Sequence, residues 1–318
     1  MSRPRVFATR RLPGSRFEEL AERVALELWT GAGSPPPPEL RARCRQAEGL
    51  LCLLTDRIDA ALFEACPSLR VVSSCSVGLD HVDLAAARRR GIRVGYTPGV
   101  LVETTADLAF ALLLASARRI VEADAFVRAG HWTRERPWDP GLLLGRDVAG
   151  ATLGVVGLGA IGRAVARRAR GFGMRVLGWT PSARRVEGVE PRDLDALLAE
   201  SDFVSLHLAL APGTRGLIDA RALARMRPGA ILVSTARGGI VDEVALADAL
   251  AAGRLAGAAL DVFEQEPLDP ASPLLAAPNL VLTPHIGSAS VATRIAMADL
   301  AVENLLAGLA GEHLPHEA

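Results

Sequence analysis

The hexapeptide Gly157-Leu158-Gly159-Ala160-Ile161-Gly162 decides the fold. It follows an apolar run containing Leu153, Val155 and Val156 and opens a helix-like stretch from Arg163 to Arg170. In such a strand, turn and helix the first glycine makes the tight turn, the second lets backbone approach a pyrophosphate, and the third packs helix on strand. The helix N-terminus then faces the phosphate charge. Gly157, Gly159, Ala160, Ile161 and Gly162 are therefore candidate cofactor-binding residues. A second strand-like run, Arg175 to Trp179, stands at the expected distance and argues against a plain glycine turn.

Working outward, Phe203 to Leu206, Ile231 to Ser234, Ala258 to Asp261 and Leu280 to Leu282 are strand-like, with helical stretches such as Glu243 to Ala251 between them. That alternation predicts a doubly wound α/β domain with a parallel sheet. The first hundred residues form a smaller α/β unit of their own: strands Val6 to Thr9, Leu50 to Leu54, Val71 to Ser74 and Arg93 to Gly95, and a helix from Phe17 to Leu28. Pro35 to Pro38 reads as a stiff surface connector. A helical pattern runs from Val100 to about Arg119, Gly130 to Gly145 is a Trp/Pro/Gly-rich loop, and a last helix, Val291 to Ala307, is placed to cross back to the first unit. The glycine turn thus sits in a domain that interrupts another.

Half of the 318 residues are apolar, and 36 basic residues balance 36 acidic ones. Two globular domains with substantial cores follow, without an electrostatic footprint for nucleic acid. Arg88-Arg89-Arg90 reads as a solvated helix end. Met1 to Arg11 lacks an apolar signal core, and Leu108 to Ala117 is too short to span a bilayer, so a cytoplasmic protein without a membrane partner is expected. Cys44, Cys52, Cys66 and Cys75 lack the two-residue spacing of metal or redox pairs, which predicts core thiols, with no metal and no disulfide. The chain has no lysine, and Tyr96 is its one tyrosine. Schiff-base chemistry on the protein is excluded. So are short-chain reductases, which need a tyrosine-lysine pair, and β-hydroxyacid dehydrogenases, which need a catalytic lysine.

Ligands of doubly wound sheets bind outside the carboxyl ends of the strands, which points to Thr180, His207, Arg237, Asp261 and His285. Arg237 leaves a strand end and precedes Gly238-Gly239, where it can grip a carboxylate bidentately. Glu266 and His285 form a candidate acid-base pair. An imidazole titrates near ~6.5 and a carboxylate partner favours its protonated form, so the pair can hand a proton to a carbonyl oxygen. His313 and His316 lie in the tail, His131 in a loop and His81 after a turn; all four read as structural or solvated. His207 is ambiguous and is a candidate to line the cofactor. An arginine for a carboxylate, a proton donor with its orienting acid and a hydride carrier make the kit for reducing a 2-oxo acid.

The chain resembles the D-isomer-specific 2-hydroxyacid dehydrogenases, because Arg237, Glu266 and His285 match that family's catalytic Arg, Glu and His in order and context. Within the family it looks most like glyoxylate/hydroxypyruvate reductases, through Ser76-Val77-Gly78-Leu79-Asp80-His81, Gly95-Tyr96-Thr97-Pro98-Gly99-Val100-Leu101, Thr104-Thr105-Ala106-Asp107-Leu108 and Pro284-His285-Ile286-Gly287-Ser288. The resemblance implies a Rossmann cofactor domain over residues 101–290, inserted in a flavodoxin-like substrate-binding domain of residues 1–100 and 291–318. It implies that the backbone amides of Val77 and Gly78 hold the substrate carboxylate, that Ser288 lines the pocket and that Asp261 contacts the nicotinamide amide. It also implies a homodimer in which Trp138, with Trp132 as the competing candidate, reaches the neighbouring active site. Thr180 stands where an acidic residue would bind the adenosine ribose, and Arg184 and Arg185 follow. Thr180, Ser182 and Arg184 then favour NADP over NAD. Another 2-oxo acid, such as a keto-gluconate or an aryl-pyruvate, is the alternative substrate, and a non-catalytic dinucleotide-sensing protein is the alternative function.

Overall fold

Hydrophobic runs of four or five residues recur along the chain, each too short for a helix and apolar on both faces, and each becomes a covered parallel strand. The computed structural model describes residues 3–135, 137–181 and 185–318. Contacts divide the chain into two units, Met1–Leu101 with Ser288–Ala318, and Val102–Gly287. The first contains β1 (Arg5–Ala8), α1 (Ser15–Arg23), β2 (Ala25–Leu28), α2 (Pro37–Cys44), β3 (Gly49–Cys52), α3 (Ala60–Ala65), β4 (Val71–Ser74), α4 (Leu84–Arg89) and β5 (Arg93–Gly95). Among the described residues its sheet has the order β2-β1-β3-β4-β5, all parallel. That is the flavodoxin-like winding.

The second unit contains α5 (Val102–Ala117), α6 (Ile120–Arg128), β6 (Thr152–Val156), α7 (Ala160–Gly171), β7 (Arg175–Trp179), β8 (Glu190–Pro191), α8 (Leu194–Glu200), β9 (Phe203–Leu206), α9 (Ala220–Arg225), β10 (Ile231–Ser234), α10 (Glu243–Ala251), β11 (Gly257–Leu260) and β12 (Leu280–Leu282). Its parallel sheet runs β12-β11-β10-β9-β6-β7-β8, a Rossmann order whose winding reverses between β6 and β9. Side chains alternate across it: Ile231 and Val233 join the core under α5 and α7, whereas Leu232 joins the core under α8, α9 and α10. α11 (Val291–Ala310) then returns the chain to the first unit, where it packs on α1, β3 and β4.

Three expectations are corrected, and one strand is added. The helix expected over Phe17 to Leu28 ends at Arg23, because Val24 turns extended and Ala25–Leu28 pairs with β1 as an edge strand. Pro37 and Pro38 are not connector but the first turn of α2, where a missing N–H is harmless. The helix expected from Val100 to Arg119 spans Val102–Ala117; Arg119, left-handed at φ 52°, separates it from α6. β8, a two-residue strand, carries no hydrophobic signal to read. The other strands fall within one residue or so of their expected places, apart from Leu50 to Leu54, which ends at Cys52. Arg88, Arg89 and Arg90 are an exposed helix end, and the four cysteines are buried core thiols. Burial pushes the Cys75 thiol up to about 11.

Candidate active site

The three glycines of the opening motif have three separate structural reasons. Gly157 has φ +101°, and a Cβ there would meet His207 O at 2.6 Å. A Cβ on Gly162 would sit 1.9 Å from Gly157 O, so α7 can approach β6 only through glycine. Gly159, exposed at the N-cap of α7, has nothing within 4 Å of its Cβ position. Open space beside unpaired helix N–H groups fits the pyrophosphate of a dinucleotide. Ala160 and Ile161 form the first turn of α7 beside it.

His207 lies just beyond β9, at the reversal of the winding. Its Nε2 pairs with Ser205 Oγ at 2.8 Å and its Nδ1 with Thr235 Oγ1 at 3.4 Å. Burial pushes the imidazole down to about 3, so it is a neutral, tethered ring, and its backbone carbonyl lies against Gly157 of the glycine turn. Thr180 is half-buried directly after β7, and Arg185 is exposed. Ser182 and Arg184 lie outside the described residues.

Two loops, following β11 and β12, assemble the acid-base pair. His285 Nδ1 meets Glu266 Oε2 at 2.6 Å, while Glu266 Oε1 accepts the Phe263 N–H at 3.0 Å. Burial pushes the Glu266 carboxyl up, but the bonds from His285 and the Phe263 amide and the charge of Arg237 outweigh it and hold it below the usual carboxylate value. Arg237 follows β10 in the adjacent loop, and its Nη1 donates to Ala236 O at 2.8 Å. His285 itself is left-handed, at φ 53°. For a non-glycine residue this conformation costs on the order of 1 kcal/mol or more and needs outside support.

Asp261 supplies that support. It is 1% exposed. Its Oδ1 accepts from Thr283 Oγ1 at 2.7 Å and from Ile286 N at 2.8 Å, and its Oδ2 accepts from Gly287 N at 2.8 Å. Burial pushes its carboxyl up against the opposing pull of those donors and of His285. The residue expected to meet the nicotinamide amide therefore also braces both sides of the histidine loop.

The remaining expected residues are placed within their own units as follows. Val77 and Gly78 follow β4 in the first unit, half-buried, and Ser288 begins the return to that unit, its carbonyl accepting from Ser290 N at 2.9 Å. Trp138 is 79% exposed and Trp132 60%. No helix among the described residues is long and apolar enough to cross a membrane.

The family described as D-isomer specific 2-hydroxyacid dehydrogenase, NAD binding domain, matches residues 110–287, more than half of the chain. The chain belongs to this dehydrogenase family. A glyoxylate reductase of Korarchaeum cryptofilum is 51% identical over 319 residues, covering 99% of this chain and 95% of that protein. A crystal structure of a Thermus thermophilus protein matches with a TM-score of 0.93 at 51% identity, over 99% of both chains. An NADPH-dependent glyoxylate/hydroxypyruvate reductase of Sinorhizobium meliloti, solved with NADP and malonate, matches with a TM-score of 0.87 at 35% identity, over 100% of this chain and 97% of that one.

Some working parts of this NAD(P)-dependent dehydrogenase escaped the sequence reading. Asp261 was legible as a strand-end residue but not as a brace, since its donors come from residues 22 to 26 positions away. Glu243, the first residue of α10, accepts the Glu264 N–H at 2.6 Å and so fixes the Glu266 loop. Only its place after an N-cap Asp242 distinguishes it in the sequence.

Proposed function

We propose that this dehydrogenase reduces glyoxylate and hydroxypyruvate to glycolate and D-glycerate with NADPH. The observation that carries the reading is the 2.6 Å contact of His285 with Glu266, with Arg237 at the adjacent strand end. The names of its relatives supply the substrate class. When bound, the reduced nicotinamide supplies a hydride to the carbonyl carbon. His285 gives a proton to the carbonyl oxygen from Nε2, because Nδ1 is turned to Glu266, and Glu266 holds the ring in place. Arg237 orients the carboxylate and polarises the carbonyl, while the amides of Val77 and Gly78 hold the carboxylate and Ser288 lines the pocket. Asp261 would meet the nicotinamide amide through the one lone pair that its three donors leave.

NADPH is favoured because Thr180 replaces the acid that would repel a 2'-phosphate, with Ser182 and Arg184 to bind it. One charge-assisted hydrogen bond is worth ~1.5–3 kcal/mol, so kcat/KM for NADPH should exceed that for NADH by about ten- to a hundredfold. Steady-state assays with both coenzymes and a panel of glyoxylate, hydroxypyruvate, phenylpyruvate and 2-keto-gluconate test both statements. Equal rates with NADH overturn the coenzyme choice; no turnover of the first two acids overturns the substrate.

The reading includes a homodimer. α6 buries none of its residues, and Ile120, Val121, Val127, Trp132, Trp138 and Leu144 are all exposed apolar side chains within 25 residues of chain. Each is worth ~1.5–3 kcal/mol when fully covered. The occupant is a second copy of this arm, with Trp138 reaching the other protomer's site. Sedimentation velocity should give a dimer for the wild type and a monomer for Ile120→Glu/Val127→Glu; a wild-type monomer would refute it.

A further inference from the structure

The loop after β4 is held by a chain of hydrogen bonds that starts at a histidine outside the acid-base pair. His81 Nε2 lies 3.0 Å from Ser74 Oγ, Ser74 Oγ lies 2.7 Å from Ser76 Oγ, and Ser76 Oγ donates to Gly78 O at 2.8 Å. Ser74 is 0% and Ser76 2% exposed, so neither hydroxyl exchanges these partners for water. The direction of the chain follows by counting protons. A carbonyl only accepts, so the Ser76 hydroxyl proton points at Gly78 O, and Ser76 Oγ must accept from Ser74. The proton of Ser74 is thereby used, and Ser74 Oγ must accept from His81 Nε2–H.

We propose that His81 is a positioning residue for the substrate carboxylate, acting through Ser74 and Ser76 on the Val77 and Gly78 amides; this rests on the reading of those two amides as the carboxylate holders. The Ser76 to Gly78 bond closes a three-residue turn around Val77. Its geometry fixes the two peptide planes whose N–H groups belong to Val77 and Gly78. The turn and the loop that follows it are tied to the first unit: Ser76 O accepts from Thr97 N at 2.8 Å, and His81 O accepts from Ile58 N at 2.9 Å. With the proton of Ser74 committed to Ser76, His81 is the donor that closes the relay. Removing it frees Ser74 to turn away, Ser76 loses its donor, and the amides lose their common aim.

The test compares His81→Leu, Ser74→Ala and His81→Gln, the last of which keeps an N–H near the position of Nε2. For each, KM and kcat for glyoxylate, the dissociation constants of NADPH and of oxalate on the NADPH complex, and the melting temperature are measured. His81→Leu and Ser74→Ala are expected to raise KM and the oxalate constant together by about tenfold, as loss of ~1.4 kcal/mol would. NADPH affinity and kcat should stay within about threefold, and His81→Gln should lie close to wild type. A merely structural histidine would lower melting temperature without separating KM from kcat, and glutamine would not rescue it. Wild-type oxalate binding in His81→Leu overturns the proposal, and Ser74→Ala decides if the leucine variant fails to fold. A wild-type protein that turns over no 2-oxo acid sinks the proposed function instead, and oxalate titration still decides the role of His81.

Discussion

Replacing His285 with asparagine is expected to lower kcat for reduction of the 2-oxo acid by ~10²–10⁴-fold, the usual contribution of a positioned general acid. Asparagine is chosen because it tolerates the left-handed backbone that His285 adopts at φ 53°. The bonds from Thr283, Ile286 and Gly287 to Asp261 remain available. NADPH affinity and melting temperature should therefore stay near wild type, and turnover within about tenfold of wild type would show that another group supplies the proton. A companion measurement reads Glu266. Its carboxyl is held below the ordinary value, so its contribution to stability is complete above the ordinary carboxylate value of ~4.3 and disappears as pH falls through the lowered one. Near neutrality it is an anion beside the ring. In Glu266→Gln the loss of folding stability on acidification through that lowered value should shrink relative to wild type, because the titrating carboxylate is gone. An acid profile of stability identical to wild type would show that the folded state does not depend on the Glu266 charge.

The legible parts of this chain were those whose signal is local. The Gly157 to Gly162 turn, its flanking strand and helix, and the strand ends at Arg237, Asp261 and His285 each lie within about ten residues of the pattern that marks them. β2 was hidden because Ala25–Leu28 continues an amphipathic helix smoothly, and only pairing with β1 makes it a strand. α6 was hidden because a helix with no buried face has no apolar stripe directed at its own core. His81 read as a structural or solvated residue after a turn because its partners are serines, which are common and carry no motif, and its proposed role lies in the direction of the bonds. The candidate site was thus readable as a set of strand ends. What holds those ends in register was not, since that is settled by contacts between loops distant in sequence.

Gly238→Ala tests that register and should have the second large effect. Gly238 has an ordinary backbone, so the constraint is space alone: a Cβ there would lie 1.7 Å from Phe263 O, 2.0 Å from Phe263 C and 2.5 Å from Glu264 N. These are backbone atoms and cannot swing aside. β10 and β11 are fixed neighbours, with Asp261 N donating to Ser234 O at 2.9 Å just before the two loops part. Farther along, Glu264 N is tied to Glu243, and Phe263 N to Glu266 itself. Relief must therefore come from moving one loop by about 1 Å or more, carrying either Arg237 or Glu266 out of place, and a displacement of that size can cost ~10²-fold in rate. The expected result is a fall of about a hundredfold or more in kcat/KM, with a loss of ~1–3 kcal/mol in stability from overpacking. NADPH affinity should stay within a few-fold, because the Gly157 to Gly162 turn follows β6, two strands away in the sheet. Gly159→Ala supplies the opposite pattern: with nothing within 4 Å of its Cβ position it should fold as wild type, yet crowd the pyrophosphate and weaken NADPH binding first. If Gly238→Ala instead kept wild-type turnover, the two loops would be free to shift independently, and the placing of the Arg237 loop against the loop that carries Glu266 would not be what sets the rate.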